Sequence, residues 1–316
     1  MSKFSLAIHA GCGVMAKLDL TEAEWQAARE DLGRALVAGH AILAAGGSAL
    51  DAVQAAVVVM EDSPHFNAGH GAALNENGIH ELDASIMDGA TLAAGAVSAA
   101  RHLKNPVKVA RAVMEHGDAV LLTGAAADKF GENHGLEIMP QSYFTTERRL
   151  AALQAMKAHV AAGTEASAKE AEKHGTVGAV ALDQAGHLAA ATSTGGYNNK
   201  PDGRVGDSPI IGAGTYAKDG VCAVSGTGKG EFFIRHVVGH EIAARVAYLG
   251  ESVDQAATKV VMEVLKPYNI GAGLVAVGAD GSVSAPYNTD GMFRGWVADG
   301  SFWVASHDKV YQYHPK

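Results

Sequence analysis

The stretch GTVGAVALD at residues 175–183, with AAATSTGG following at residues 189–196, decides how this chain folds. Two apolar runs, Thr176–Leu182 and Leu188–Thr194, flank a turn at Asp183–Gly186. Short runs on either side of a glycine-containing turn predict a β-hairpin. Thr176 is therefore expected at the start of a strand, directly after Gly175.

Outward from this hairpin, helices and strand pairs come in blocks and do not alternate strictly. A glycine-rich segment leads to Tyr216, followed by a strand at Val221–Ser225 and a helix at Glu231–Leu249. This order favours an α+β fold with antiparallel sheets over the parallel sheet of a Rossmann fold. The other predicted elements are a strand at Phe4–Ile8, helices after Thr21 and Ser48, a helix starting at Asn105-Pro106, and strands at Asp118–Thr123, Leu274–Val277, Val283–Ala285 and Phe302–Ala305.

Composition restricts the classes of protein to which the chain can belong. Its 316 residues are 48% hydrophobic, which excludes disorder, and the net charge of −9 argues against a nucleic-acid partner. Two cysteines, Cys12 and Cys222, cannot form a disulfide framework and fit a reducing compartment. Because no signal peptide and no run of roughly 18 apolar residues stands out, we expect a cytoplasmic protein with no membrane partner.

Residues 155–175, just before the hairpin, have a different composition. Ala, Lys and Glu dominate the stretch AHVAAGTEASAKEAEKHG, and large apolar residues are scarce after Val160. Without an apolar stripe to anchor a helix, these residues are predicted to form a mobile linker.

Thr176 is the most informative candidate for chemistry. A threonine hydroxyl is a weak nucleophile unless a base lies beside it, and a threonine at a chain terminus can use its own α-amino group. Such a group has a reference pKa of roughly 7.7–8.0, so it can accept a proton near neutrality. The alternative is that Thr176 simply begins a strand, where threonine is favoured.

Arg204 and Asp207 form the second candidate group. The planar guanidinium of Arg204 suits bidentate recognition of a carboxylate, and Asp207 supplies the opposite charge three residues later. Together they would suit the zwitterionic head of an amino acid, but an ordinary surface ion pair is the alternative interpretation.

Thr227 and Gly228 lie at a predicted strand-to-helix turn, where backbone N–H groups can stabilise developing negative charge. A phosphate-binding loop is the rival interpretation. The sequence GTGKGE lacks the GxxxxGK[ST] pattern, and Glu231 occupies the position of the last glycine in GxGxxG. A tight glycine turn without a ligand also remains open.

Taken together, these motifs resemble the plant-type asparaginase/isoaspartyl peptidase family of N-terminal nucleophile hydrolases. The segments that carry the resemblance are GTVGAVALD (175–183), AAATSTGG (189–196), GRVGDSPIIGAG (203–214), TGKGE (227–231), FNAGHG (66–71), HELDASIMDG (80–89) and GAVSAARHLKNPVKVAR (95–111). They occur in the family's order over nearly the whole chain. The resemblance implies a four-layer αββα sandwich and a hydrolase that cleaves β-aspartyl dipeptides and the side-chain amide of L-asparagine.

The resemblance also implies roles for individual residues. Cleavage between Gly175 and Thr176 would give an α piece, residues 1–175, and a β piece, residues 176–316, which together form one folded domain. Thr176 is the implied nucleophile. The other implied assignments are Thr194 as its activating contact, Thr227 and Gly228 as the oxyanion hole, Arg204 as the anchor of the substrate α-carboxylate, and Asp207 as the anchor of the α-amino group. Asn67 is implied to position the activated threonine, and Asn67 and Gly230 are implied as further substrate-site residues.

No cofactor is implied for catalysis, but a structural cation is. The implied sodium (or potassium) ligands are the backbone carbonyls of Met60, Glu61, Ser63, Phe66, Ala68 and His70. The resemblance also implies a dimer of αβ units.

The sequence departs from the family at the end of the first strand. The family motif His-Gly-Gly-Ala-Gly is replaced here by His9-Ala10-Gly11-Cys12-Gly13. This difference bears on rate and substrate preference more than on mechanism. Two other functions stay open at this point: a glycosylasparaginase or taspase-like specificity, and a binding protein that keeps the fold but never matures.

Overall fold

The computed structural model describes residues 4–13, 21–164 and 175–315. Within these ranges the chain is a mixed α+β structure, with two β-sheets flanked by helices. The strands are β1 (Ser5–His9), β2 (Leu82–Asp88), β3 (Ala94–Ala100), β4 (Leu121–Thr123), β5 (Val177–Leu182), β6 (Leu188–Thr194), β7 (Thr215–Lys218), β8 (Cys222–Gly228), β9 (Ala272–Gly278), β10 (Val283–Ser284), β11 (Arg294–Ala298), β12 (Ser301–Ala305) and β13 (Val310–Tyr313). The α-helices are α1 (Glu22–Ala44), α2 (Ala49–Glu61), α3 (Pro106–His116), α4 (Ala125–Asn133), α5 (Gln141–Phe144), α6 (Glu147–Ala162), α7 (Gly230–His236), α8 (Val238–Leu249) and α9 (Val253–Lys259).

The larger sheet is built by both halves of the chain. Among the described residues it has nine strands in the order β13-β12-β11-β1-β5-β6-β2-β3-β4, and the smaller sheet has four in the order β10-β9-β8-β7. The predicted hairpin is present as the antiparallel pair β5–β6, with Val177 opposite Ser193. β1 pairs with both β5 and β11, and β2 pairs with β6. The nucleophile candidate therefore precedes a central strand.

The two sheets face each other across an apolar layer. Along β5, Val180 and Leu182 point toward the smaller sheet and pack with Ala223 and Val275. Residues in alternate positions, including Val177, point the other way, pack against α2 and belong to an apolar cluster that also contains residues of α1. The outer face of the smaller sheet packs on α8 and α9. Even-numbered residues of β5 and β6 thus face the space between the sheets.

Predicted helix caps are confirmed at the first two helices. The Thr21 side chain accepts from the Glu24 N–H while the Glu24 side chain accepts from the Thr21 N–H, which completes the capping box. Ser48 accepts from the Asp51 N–H at 3.0 Å and begins α2. Removing such a cap typically costs about 1 kcal/mol.

The prediction of a mobile linker from residue 155 is wrong for residues 155–162, which belong to α6. The buried residues of this helix are Arg149, Leu153 and Met156, and all three precede the polar stretch AHVAAGTEASAKEAEKHG. The helix ends at Gly163, whose left-handed conformation (φ 66°) suits glycine. The remaining predicted linker residues, 165–174, lie outside the described residues.

The predicted helix Glu231–Leu249 is interrupted at Val237, which adopts φ 47° between α7 and α8. The strand before it is also longer than predicted, because β8 continues to Gly228. Thr227 therefore belongs to the end of a strand, whereas the sequence placed it in a turn.

Cys12 and Cys222 are both buried, and they lie outside any disulfide. Within the described ranges, no group of three or more His, Cys, Asp and Glu side chains is arranged to hold a metal ion. None of the helices in those ranges has the length and apolar character needed to cross a membrane.

Candidate active site

The carbonyl of Gly175 lies at the centre of the candidate site. Asn67 Nδ2 donates to this oxygen at 2.9 Å and Thr194 Oγ1 donates to it at 3.0 Å. The hydroxyl of Thr176 lies 2.6 Å from the same oxygen and 3.2 Å from Thr194 Oγ1. Two donors on one carbonyl oxygen polarise it toward nucleophilic attack, and they would stabilise the negative charge that an attack creates.

Asn67 is held rigidly for this contact. Its Oδ1 accepts from the Ala73 N–H at 2.6 Å, and its Nδ2 also donates to the Gly196 carbonyl at 2.6 Å. Thr194 is oriented in a similar way, because its Oγ1 accepts from the Gly196 N–H at 3.0 Å. Asn67 therefore contacts the carbonyl of the bond before Thr176.

Backbone crowding explains the glycines at residue 175 and at residue 11, which packs against this bond. A Cβ on Gly175 would lie 2.8 Å from the Asn67 Cβ. Gly11, with φ +106°, passes so close that a Cβ there would lie 3.1 Å from the Gly175 Cα. The contact at Gly175 is too short for a Cβ unless Asn67 shifts, and the positive φ at Gly11 strains any residue other than glycine.

Arg204 and Asp207 line the same small pocket as Thr176, Thr194 and Gly228. Arg204 is held by Glu231, whose Oε1 accepts from Nε at 3.0 Å and from Nη2 at 2.9 Å. The guanidinium also lies over the Tyr197 ring, 4.7 Å from its centroid. Arg204 is thus oriented by a carboxylate and an aromatic face before any ligand binds.

Asp207 is a buried carboxylate with an unsatisfied oxygen. It is 5% exposed, and its Oδ2 accepts no hydrogen bond from the described residues. Burial raises the pKa of Asp207 to about 7, and the positive charge of Arg204 only partly opposes this. An ammonium group entering the pocket would supply both the missing donor and a compensating charge.

Thr227 and Gly228 end β8 beside the first-strand turn. The Cys12 N–H donates to Thr227 Oγ1 and the Cys12 thiol donates to the Thr227 carbonyl, each at 3.4 Å. Gly228 has φ +144°, and a Cβ there would lie 2.4 Å from the Gly271 carbonyl oxygen. Only glycine fits that position. Gly230 is similarly crowded, because its Cβ would lie 2.8 Å from Arg204 Nη2.

Comparison with known proteins finds relatives over most of the chain. A family model described as asparaginase matches residues 2–305. The chain belongs to this asparaginase family. It is 45% identical over 299 residues to the isoaspartyl peptidase of Escherichia coli (strain K12), covering 94% of this chain and 93% of that protein. It is 46% identical over 273 residues to the isoaspartyl peptidase/L-asparaginase of Mus musculus, covering 86% and 82%, and 36% identical over 323 residues to the probable isoaspartyl peptidase/L-asparaginase 2 of Arabidopsis thaliana, covering 96% and 98%.

The asparaginase-family loop expected to bind a cation lies directly after α2. The His70 N–H donates to the Glu61 carbonyl at 2.7 Å and closes the loop, while the Met60 carbonyl accepts from the Ser63 N–H at 3.3 Å. Among the described residues, the other four predicted ligand carbonyls accept no hydrogen bond. These are the carbonyls of Ser63, Phe66, Ala68 and His70. Such oxygens are the donor type that a hard cation prefers, so these four positions fit the expectation better than Met60 and Glu61 do.

Two residues that orient Arg204 were missed in the sequence of this asparaginase-family chain. Glu231 lies inside the quoted TGKGE motif, and Tyr197 directly follows TGG. Their contact with Arg204 joins segments 27 residues apart in one case, and no local pattern encodes such a pairing. A charged residue in a glycine-rich motif was the only available signal.

Proposed function

We propose that this chain is an isoaspartyl peptidase/L-asparaginase that releases L-aspartate from β-aspartyl dipeptides and from L-asparagine. Relatives named isoaspartyl peptidase or isoaspartyl peptidase/L-asparaginase are about 45% identical over most of the chain, and this supports the activity. The donor pair on the Gly175 carbonyl is the structural observation that carries the proposal, because two hydrogen bonds to that oxygen would favour attack on this bond.

Maturation follows from the contacts of Gly175. The Thr176 Oγ1 attacks the Gly175 carbonyl carbon, and Asn67 and Thr194 hold the oxygen as it becomes negative. The peptide C–N bond breaks as the acyl group moves to oxygen, and the Thr176 nitrogen takes the proton. Water then hydrolyses the ester. This leaves pieces of 175 and 141 residues, the second beginning with a free Thr176 amine.

In the mature protein, the Thr176 amine accepts the proton of its own hydroxyl as that oxygen attacks the substrate. The attacked atom is the side-chain carbonyl carbon of the aspartyl group. The Thr227 hydroxyl and the Gly228 N–H stabilise the resulting oxyanion. The protonated amine passes its proton to the leaving amine, and water hydrolyses the β-aspartyl ester.

Substrate orientation rests on Arg204 and Asp207. Arg204 holds the α-carboxylate, and Asp207 accepts from the α-ammonium group. Asparagine and β-aspartyl dipeptides present the same α-carboxylate and α-ammonium groups, and they differ only in the leaving group of the reaction. One pocket can therefore serve both substrates.

The proposal extends to fold family, assembly and cation. The packing of helices on both sheets supports a four-layer αββα sandwich of the N-terminal nucleophile type. The two pieces form one domain, and two αβ units pair as a dimer, which size-exclusion chromatography tests.

The loop carbonyls between Ser63 and His70 would hold a sodium or potassium ion, which would fix the loop carrying Asn67. No cofactor takes part in the chemistry. A cytoplasmic location without nucleic-acid or membrane partners stays a prediction.

The direct test compares the wild-type protein with Thr176→Ala on β-Asp-Leu and L-asparagine. The wild type should release aspartate from both substrates, while the variant should remain one chain and show only background activity. Two fragments of Thr176→Ala on a denaturing gel would refute the cleavage step. Wild-type protein that is cut but inactive on both substrates would refute the assigned specificity.

A further inference from the structure

A chain of buried polar side chains crosses the space between the two sheets. His9 Nε2 lies 2.9 Å from Ser225 Oγ, which lies 2.6 Å from Thr192 Oγ1. Thr215 Oγ1 donates to Thr192 Oγ1 at 2.6 Å, and Ser85 Oγ donates to Thr215 Oγ1 at 2.7 Å. All five side chains are 0% exposed. We call these five residues the inter-sheet polar chain.

The surroundings of the inter-sheet polar chain are apolar. Ala7, Val180, Ala190 and Ala223 occupy the neighbouring positions of the same layer. A hydroxyl buried in such a layer costs free energy unless it is hydrogen-bonded, and an apolar residue would fill the space without that cost. Five linked polar side chains in this layer therefore need an explanation beyond stability.

Their positions along the strands supply that explanation. Thr192 lies two residues before Thr194 on β6, and Ser225 lies two residues before Thr227 on β8. Side chains two residues apart on a strand share a face. The Thr192–Ser225 contact therefore links β6, which carries Thr194, to β8. It lies two residues along each strand from the site threonines.

The two ends of the inter-sheet polar chain, His9 and Ser85, lie beside the remaining site residues. His9 is paired with Gly178, two residues after Thr176, across the β1–β5 ladder. At the other end, Ser85 Oγ lies 2.6 Å from the carbonyl of Ser208, the residue after Asp207. The inter-sheet polar chain thus runs from β1, the neighbour of the nucleophile strand β5, to the loop that carries the substrate-ammonium anchor.

Gly178 leaves the space that the His9 and Ser225 side chains of the inter-sheet polar chain occupy. A Cβ at this position would lie 1.9 Å from Ser225 Oγ and 2.5 Å from His9 Nε2. No other residue could stand there while the His9–Ser225 contact is kept. Packing against the inter-sheet polar chain thereby explains the second glycine of the GTVG motif, Gly178.

We propose that the inter-sheet polar chain is a set of positioning residues, which fix Thr194, Thr227 and Asp207 relative to Thr176. None of the five residues lines the pocket that contains Thr176 and Arg204; they act through the strands and the loop that bear the site. The inference rests on the proposed function. A misplacement of about 1 Å in a catalytic geometry can cost on the order of 100-fold in rate, so strand registration of this kind would govern kcat.

The test replaces Thr192 with valine, which keeps the shape and removes the hydroxyl shared by Ser225 and Thr215. Ser5→Ala is the matched control: Ser5 lies on β1, and its Oγ donates across the sheets to the Gly281 carbonyl at 2.7 Å, away from the site. For Thr192→Val, kcat on β-Asp-Leu should fall on the order of tenfold or more while KM changes less than about twofold. Ser5→Ala should lower the Tm without changing kcat.

Two further variants keep the test decisive. Thr192→Ser, which restores a hydroxyl, should recover most of kcat, and Ser225→Ala should reproduce the Thr192→Val defect. Thr192→Val and Ser225→Ala both interrupt the inter-sheet polar chain. The fold-loss of kcat in the double variant should therefore be smaller than the product of the fold-losses in the two single variants. An active wild type with unchanged kcat in Thr192→Val or Ser225→Ala overturns the positioning role, as does an equal loss in Ser5→Ala. A wild type inactive on both substrates instead refutes the proposed function.

Discussion

Arg204 carries the recognition of the substrate α-carboxylate, and its replacement should produce a selective defect. Arg204→Ala should lower kcat/KM for β-Asp-Leu roughly 10- to 100-fold, the usual loss for a hydrogen-bonded charge pair. An analogue whose aspartyl α-carboxylate is an amide should be affected far less, because it never used that pair.

Steady-state kinetics on both compounds provide the measurement. Arg245→Ala is the control, since Arg245 Nε donates to Glu241 at 2.8 Å on α8 and neither residue lines the pocket. Equal losses for the acid and the amide would remove the role assigned to Arg204.

Asp207 predicts a pH dependence of ligand binding. Its pKa is raised to about 7 by burial, so below pH 7 the carboxyl becomes protonated and loses the charge that attracts an ammonium group. The inhibition constant of L-aspartate should therefore rise by up to about tenfold for each pH unit below 7, and level off above it. Succinate lacks the ammonium group and should show no such rise. Parallel profiles for the two inhibitors would contradict the assignment.

Strand β5 tolerates no side chain at residue 178, and this sets the element-scale prediction. Gly178→Ala would force a Cβ to within 1.9 Å of Ser225 Oγ, and overpacking of this kind costs about 1–3 kcal/mol or more. We expect a lower Tm and a chain that stays uncut.

The control for that variant lies in the same hairpin. Gly186 has φ +89° with open space around it, so Gly186→Ala should cost only about 1–2 kcal/mol and still be cut. The cut fraction on a denaturing gel and the Tm measure both effects. Normal cleavage of Gly178→Ala would show that β5 adapts.

Elements with a strong local signal could be predicted from the sequence. The two apolar runs around a glycine turn predicted the β5–β6 hairpin, and the capping-box pattern predicted the start of α1. The structure confirms both. The break at Val237 was missed, because a β-branched residue gives no local sign of a left-handed conformation. Helix α6 was not predicted, because its buried anchors precede the polar stretch that was interpreted as a linker.

The candidate site was predictable where motifs carry the residues and not where the contact is long-range. Thr176, Thr194, Arg204 and Asp207 line one pocket. The burial that raises the pKa of Asp207 could not be read from its sequence neighbours. The inter-sheet polar chain has no motif of its own, because its members come from different strands and meet only when two sheets pack.

At the scale of the whole molecule, the two proposed pieces are interleaved. β1 of the first piece lies between β5 and β11 of the second, and β2 pairs with β6. The apolar layer between the sheets also draws on both pieces, with Ala7 packed beside Val275. Cutting the bond before Thr176 therefore leaves these contacts intact, and the pieces should elute together under native conditions.

One measurement tests the central claim most directly: mass spectrometry of the native size-exclusion fractions that hydrolyse β-Asp-Leu, followed through maturation. We predict that activity increases in step with the appearance of two masses, for residues 1–175 and 176–316, which stay in the same fraction. Full activity in a fraction that contains only the unbroken 316-residue polypeptide would contradict the claim that the Thr176 amine and hydroxyl work together.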